Sequence, residues 1–137
     1  MKEPLWIGEP AALVLHDRLL ALHGGASGLR DHTLLTLARP RQHFSYAESP
    51  DILKLAAVYT GGIVQNHPFV DGNKRTGFVV GILFLELNGF RFSAAEEDAA
   101  QAVLQLASGN IDEAAYTAFL RANSSPEKKS PKKIRKK

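Results

Sequence analysis

Ten consecutive residues concentrate the reactive chemistry of this 137-residue chain: His67-Pro68-Phe69-Val70-Asp71-Gly72-Asn73-Lys74-Arg75-Thr76. Together they read as a phosphate site. A helix that starts at Asn73 turns its free backbone N–H groups and the positive end of its dipole toward whatever occupies the preceding loop. Gly72 leaves room for close backbone approach, and the Asn73 amide can donate to an anion. Lys74 and Arg75 place two cations in the first turn, where they oppose the dipole; that cost makes sense if an anion offsets it. Asp71 supplies a hard oxygen suited to Mg²⁺ held between a carboxylate and phosphates. His67 alone in the segment has an unperturbed pKa near neutrality, which makes it the natural general base.

The loop needs two helices to hold it, and the periodicity provides them. Asp51 caps a helix whose apolar residues Ile52, Leu55, Ala56, Tyr59 and Ile63 share a face; Pro68 disfavours helical backbone at His67 and ends it near Asn66. The next helix runs from Asn73 to Asn88-Gly89 and is apolar nearly all round, which predicts the central, buried helix. Upstream, Pro10 opens a helix with Ala11, Leu15, Leu19 and Leu22 on one face, stopped by Gly24-Gly25. Asp31 caps a short second helix that Pro40 ends, and residues 41–50 read as a loop or small hairpin. Ser93 with Glu96, and Asn110 with Glu113, read as capping boxes for two further helices. The expected fold is all-α, a bundle of about six helices with one possible hairpin at residues 41–50.

The segment HPFVDGNKRTG resembles the signature of the Fic/Doc (Fido) superfamily, His-x-Phe-x-Asp/Glu-Gly-Asn-x-Arg, at every specified position. Gly24-Gly25, Gly28-Leu29-Arg30-Asp31, Arg39-Pro40, Leu87-Asn88-Gly89 and Leu106-Ala107-Ser108-Gly109 resemble its death-on-curing (Doc) branch, over roughly residues 5 to 122. The resemblance implies that His67 deprotonates a hydroxyl of a target protein, that Asp71 holds Mg²⁺ and that Phe69 anchors the loop. It also implies that Gly72 and Asn73 form part of an anion nest and that Arg75 pairs with a nucleotide phosphate. Fic adenylyltransferases carry a glycine after the Asn and a second Arg three residues beyond the first; here those positions are Lys74 and Phe78. Doc toxins share the lysine, which implies reversed ATP and transfer of the γ-phosphoryl group. The expectation is therefore a protein Ser/Thr kinase-like toxin acting on a translation factor, elongation factor Tu foremost. The alternatives are AMP transfer by the same scaffold and a non-catalytic binding module. Ser93 with Glu97 does not complete the inhibitory pattern of some Fic proteins, so control by a Phd-like antitoxin docking a helix into a groove is expected.

Composition bounds these readings. The chain is one domain's worth of sequence, 45% hydrophobic and 23% charged, with mean hydropathy −0.14. It has no cysteine, which excludes disulfides, thiolate metal sites and a thiol nucleophile. The net charge of +3 and pI near 9.3 suggest nucleic acid only at first sight. Ser124–Lys137 holds six lysines and an arginine against one glutamate, leaving residues 1–123 net acidic. The expected division is a folded domain over 1–123 and a disordered basic tail over 124–137, the only part with a plausible affinity for nucleic acid. The N-terminus lacks a secretory h-region and the longest apolar run, Phe78–Leu85, is too short to span a bilayer, so a cytoplasmic protein without membrane contact is expected. His16 and His23 read as surface or satisfied core histidines, Trp6 as a core anchor, and Phe44 and Tyr46 as part of a possible flap that docks the target.

Overall fold

The computed structural model describes residues 3–44 and 50–127. Six α-helices form the fold: α1 (Glu9–His23), α2 (Arg39–Gln42), α3 (Ile52–Asn66), α4 (Asn73–Leu87), α5 (Glu96–Ala107) and α6 (Glu113–Ala122). A two-stranded antiparallel sheet joins β1 (Phe90–Phe92) to β2 (Ser124–Pro126), pairing Phe90 with Pro126 and Phe92 with Ser124. The all-α expectation holds, with the sheet as its only strand pair among the described residues. No helix there is long and apolar enough to cross a membrane.

The central helix is α3, not α4. Eleven of its fifteen residues are buried, and it packs against α2, α4, α5 and α6. Its small residues Ala56, Ala57, Gly61 and Gly62 permit close approach from every side. The Asp51 carboxylate caps it as expected, accepting from Lys54 N–H at 3.2 Å. The all-round apolar character of α4 has a different cause: one face packs on α3 while Phe78, Val79 and Ile82 line an open groove. Around Phe84, fully buried, sit Tyr59 (ring centroids 5.0 Å apart) and Trp6 (5.8 Å), so Trp6 is the anchor its composition suggests.

Several local expectations are corrected. In α1 the buried positions are Ala12 and His16, one residue off the expected leucine stripe, and Leu22 is exposed. The second helix shrinks to a 3-10 turn, His32–Leu34, capped by Asp31; Pro40 stands in the first turn of α2 rather than ending a helix, where its missing N–H costs nothing. Ser93 caps no helix, because the aromatic pair Phe90 and Phe92 draws it to the sheet edge, where its N–H donates to Asn123 O. Asp112, not Asn110, caps α6; Glu113 is instead bidentate with Arg39 at 2.9 and 3.2 Å, tying α6 to α2. The hairpin expected at residues 41–50 falls largely on 45–49, outside the described residues, as does Tyr46; of its flanks, Arg41 and Gln42 are helical and Phe44 meets Trp6 edge-on. Ser124–Pro126, expected as the start of the disordered tail, form β2; residues 128–137 lie outside the described part.

Candidate functional site

The loop His67–Gly72 joins the C-terminus of α3 to the N-terminus of α4. His67 caps α3 in the left-handed conformation (φ 53°, ψ 59°), its N–H donating to Ile63 O at 3.1 Å. A non-glycine residue pays about 1–2 kcal/mol for such backbone. The side chain of His67 is exposed, while Pro68 and Phe69 beside it are buried. The chain direction therefore turns the imidazole out and the phenyl ring in.

Three supports hold the loop. Asn73 is buried, and both ends of its amide bind the backbone of Phe69: Phe69 N–H donates to Oδ1 and Nδ2 donates to Phe69 O, each at 2.9 Å. This amide staples the loop. His16 lies flat on the Phe69 ring, centroids 3.7 Å apart, and its Nε2–H donates to Asp71 O at 2.8 Å. His16 is thus a satisfied core histidine, and the Nε2 nitrogen carries the proton because a carbonyl only accepts. Segment 26–31 runs alongside: Val70 N–H donates to Gly28 O, Leu29 bridges Phe69, and the N–H groups of Arg30 and Asp31 donate to Pro68 O. Replacing Asn73 with Ala leaves the buried Phe69 N–H and C=O unpaired, and is expected to cost about 1–3 kcal/mol in urea unfolding.

Asp71 is exposed and fixed by backbone donors. Ala26 N–H reaches its Oδ2 at 3.2 Å and Gly72 N–H its Oδ1 at 2.8 Å. These two hydrogen bonds, with Arg75 and His16 contributing charge, hold the carboxyl below the ordinary aspartate value, so its charge outlasts that of a free carboxylate as pH falls. Gly72 takes φ 79°, which only glycine adopts without strain, and it offers α4 no side-chain cap. The first N–H groups of α4 are left to other acceptors. Lys74 and Arg75 in that turn are exposed, with no carboxylate within 4 Å among the described residues.

The arrangement suits an anionic ligand such as a phosphate group. No cluster of three or more His, Asp or Glu side chains able to hold a metal exists among the described residues. A single ionised carboxylate, beside two cations with no carboxylate partner among the described residues, would instead hold a cation only together with an anionic ligand. His67, Asp71, Gly72, Lys74 and Arg75 thus gather on one loop and one helical turn. Lys74 and Arg75 also line the groove, about 680 Å³, formed with Leu19, Phe78, Ile82 and Val103. The sequence reading missed the loop contacts of His16, Arg30 and Ala26. The glycines at 24, 25 and 28, all at positive φ, were the available signal, since they bend the chain back beneath the loop.

Comparison with known proteins gives consistent matches. A family model described as Fic/DOC family matches residues 6–85. The Protein kinase doc of Escherichia phage P1 is 32% identical over 79 residues, covering 56% of this chain and 63% of that protein. The Toxin Doc of Mycolicibacterium smegmatis is 35% identical over 74 residues, 52% of this chain and 57% of that protein. The chain spans less than two thirds of the length of these curated relatives.

Proposed function

The chain belongs to the Fic/DOC family, and from that membership we propose that it is a Doc-type toxin, transferring the γ-phosphoryl group of ATP to a Ser or Thr hydroxyl of a translation factor, elongation factor Tu by expectation. The observation that carries the reading is the gathering, on one loop and helix turn, of an exposed histidine, a fixed, ionised aspartate and two exposed cations with no carboxylate partner among the described residues. The names of the relatives, a kinase and a toxin, support the same reading.

In this reading His67 accepts the proton of the target hydroxyl as its oxygen forms a bond to phosphorus and the bond to the ADP oxygen breaks. Lys74, Arg75 and the N–H groups at the start of α4 hold the phosphates, offsetting charge as it shifts toward the leaving group. Asp71 would hold Mg²⁺, which would supply charge neutralisation to the phosphates. Phe78, packed edge-on against Phe92 at 5.8 Å, brings no charge to the groove, so the cationic end is confined to Lys74 and Arg75. The lysine at this position, shared with Doc toxins by resemblance, supports γ-phosphoryl rather than adenylyl transfer.

A Phd-like antitoxin is the proposed regulator. The apolar groove between α1, α4 and α5 fits a helical segment, and an occupant would cover Lys74 and Arg75, coupling antitoxin binding to loss of transfer. Its place of action in this reading is the cytoplasm.

The test uses ATP labelled separately at the α and γ positions, incubated with the protein, Mg²⁺ and a bacterial extract. Label from the γ position alone in one protein band supports the reading; α-label in the band would establish AMP transfer instead. Ending the chain after Glu127 keeps β2 and every site element described, and is expected to leave the transfer rate within about twofold. Ending it after Asn123 removes the strand that pairs with Phe90–Phe92 and is expected to lower the melting temperature.

A further inference from the structure

His67 is aimed by its backbone, and one side chain grips that backbone on both sides. Arg30 Nε donates to His67 O at 2.8 Å, and its Nη2 donates to Asn66 O at 3.0 Å. These carbonyls belong to the two peptide planes that flank the His67 Cα. The orientation of the first plane sets φ, that of the second sets ψ, and no other soft torsions exist in the main chain there. The planar guanidinium fork spans the two oxygens with fixed geometry. It also places a cation at the negative end of α3, where a cation is favoured.

The strain gives this grip a purpose. His67 sits at φ 53°, one of two non-glycine residues with positive φ among those described, and that conformation persists only if its surroundings enforce it. No hydrogen bond to the His67 imidazole is found among the described residues, so the ring has no partner to orient it other than through the chain. We propose that Arg30 is the positioning residue of the site: by holding both carbonyls around His67 it maintains the left-handed turn that presents the imidazole to the reacting hydroxyl. The Arg30 side chain touches neither Asp71 nor the start of α4 in any contact found, so it acts on the base alone. The proposal rests on His67 as general base, but its structural half stands apart from that reading.

The experiment compares the wild-type chain with Arg30→Ala and Arg30→Lys by two readouts. The first is the backbone chemical shifts of His67, which report φ and ψ without any substrate. Arg30→Ala is expected to lose the left-handed signature; added guanidinium ion, which can bridge the same carbonyls, is expected to restore it in part. The second is steady-state transfer. Arg30→Ala is expected to lower kcat about 10- to 100-fold with KM for ATP unchanged, because the phosphate-binding groups stay in place. Arg30→Lys, which can reach one carbonyl at a time, is expected to fall between. Unchanged His67 shifts in Arg30→Ala would overturn the proposal, as would a KM rise that matches or exceeds the fall in kcat. If the wild-type chain transfers nothing, the functional reading fails and the chemical shifts alone decide the role of Arg30.

Discussion

His67→Ala is expected to lower phosphoryl transfer by about 10²- to 10⁴-fold, the usual weight of a positioned general base, with KM for ATP little changed. His67 is exposed and its side chain braces nothing in the core, so the fold survives the change. Glycine at the same position separates function from stability further. The residue pays for left-handed backbone that glycine adopts freely, offset in part by glycine's greater unfolded-state entropy. His67→Gly is therefore expected to abolish transfer while raising stability by up to about 1 kcal/mol, a few degrees in melting temperature. A variant that is inactive yet more stable than the parent marks a residue kept for chemistry. If His67→Gly melted lower than the wild type, the left-handed cap would not be the strained element described above.

The second large effect lies where α3 and α4 meet. Gly77 and Gly81 occupy one face of α4, a turn apart, and let it close on α3. A Cβ at Gly77 would stand 2.8 Å from Val64 Cγ1 and 3.2 Å from Thr60 O; one at Gly81 would collide with Thr60 Oγ1 and lie 3.1 Å from Ala56 O. Thr60 cannot swing aside cheaply, because its hydroxyl donates to Gly77 O at 2.8 Å in a buried setting. The gain in helix propensity from Gly to Ala, about 1 kcal/mol, opposes an overpacking cost of about 1–3 kcal/mol at each site. Gly81→Val adds further bulk at that contact and is expected to destabilise by more than about 3 kcal/mol, a large share of a typical domain's stability. Transfer should fall as well, since the proposed base, His67, stands at the end of α3 and the proposed phosphate-binding cations, Lys74 and Arg75, at the start of α4. Equilibrium unfolding in urea measures the first effect. A stability gain in Gly77→Ala or Gly81→Ala would mean the helices sit farther apart than described.

These two predictions draw on parts of the molecule that were unequally legible in the sequence. The helix pair and its loop were readable because Asp51, Pro68 and Asn88-Gly89 mark their ends by local chemistry alone. The candidate side chains stood out because their types are unusual at a helix start. Which helix lies at the centre was not, since apolar residues all round α4 fit both a buried helix and one facing a groove; the small residues Gly61 and Gly62 of α3 carried the better signal. The stapling role of Asn73 was not legible because it depends on the three-dimensional path of Phe69, which the amide holds at both ends. His16 and Arg30 act across 55 and 37 residues of sequence, on Asp71 and His67, so no local pattern could place them. The capping boxes at Ser93 and Asn110 failed for the same reason, with tertiary partners, Asn123 for the Ser93 backbone and Arg39 for Glu113, prevailing over local preference.

His67 is the proposed base for moving a phosphoryl group from ATP to a protein hydroxyl. The most direct test of this role is the intact mass of purified elongation factor Tu after incubation with ATP, Mg²⁺ and either the wild-type chain or His67→Ala. The predicted result is a gain of one phosphoryl group with the wild type and none with His67→Ala. A gain of an adenylyl group, or a phosphoryl gain that survives the loss of His67, would contradict it.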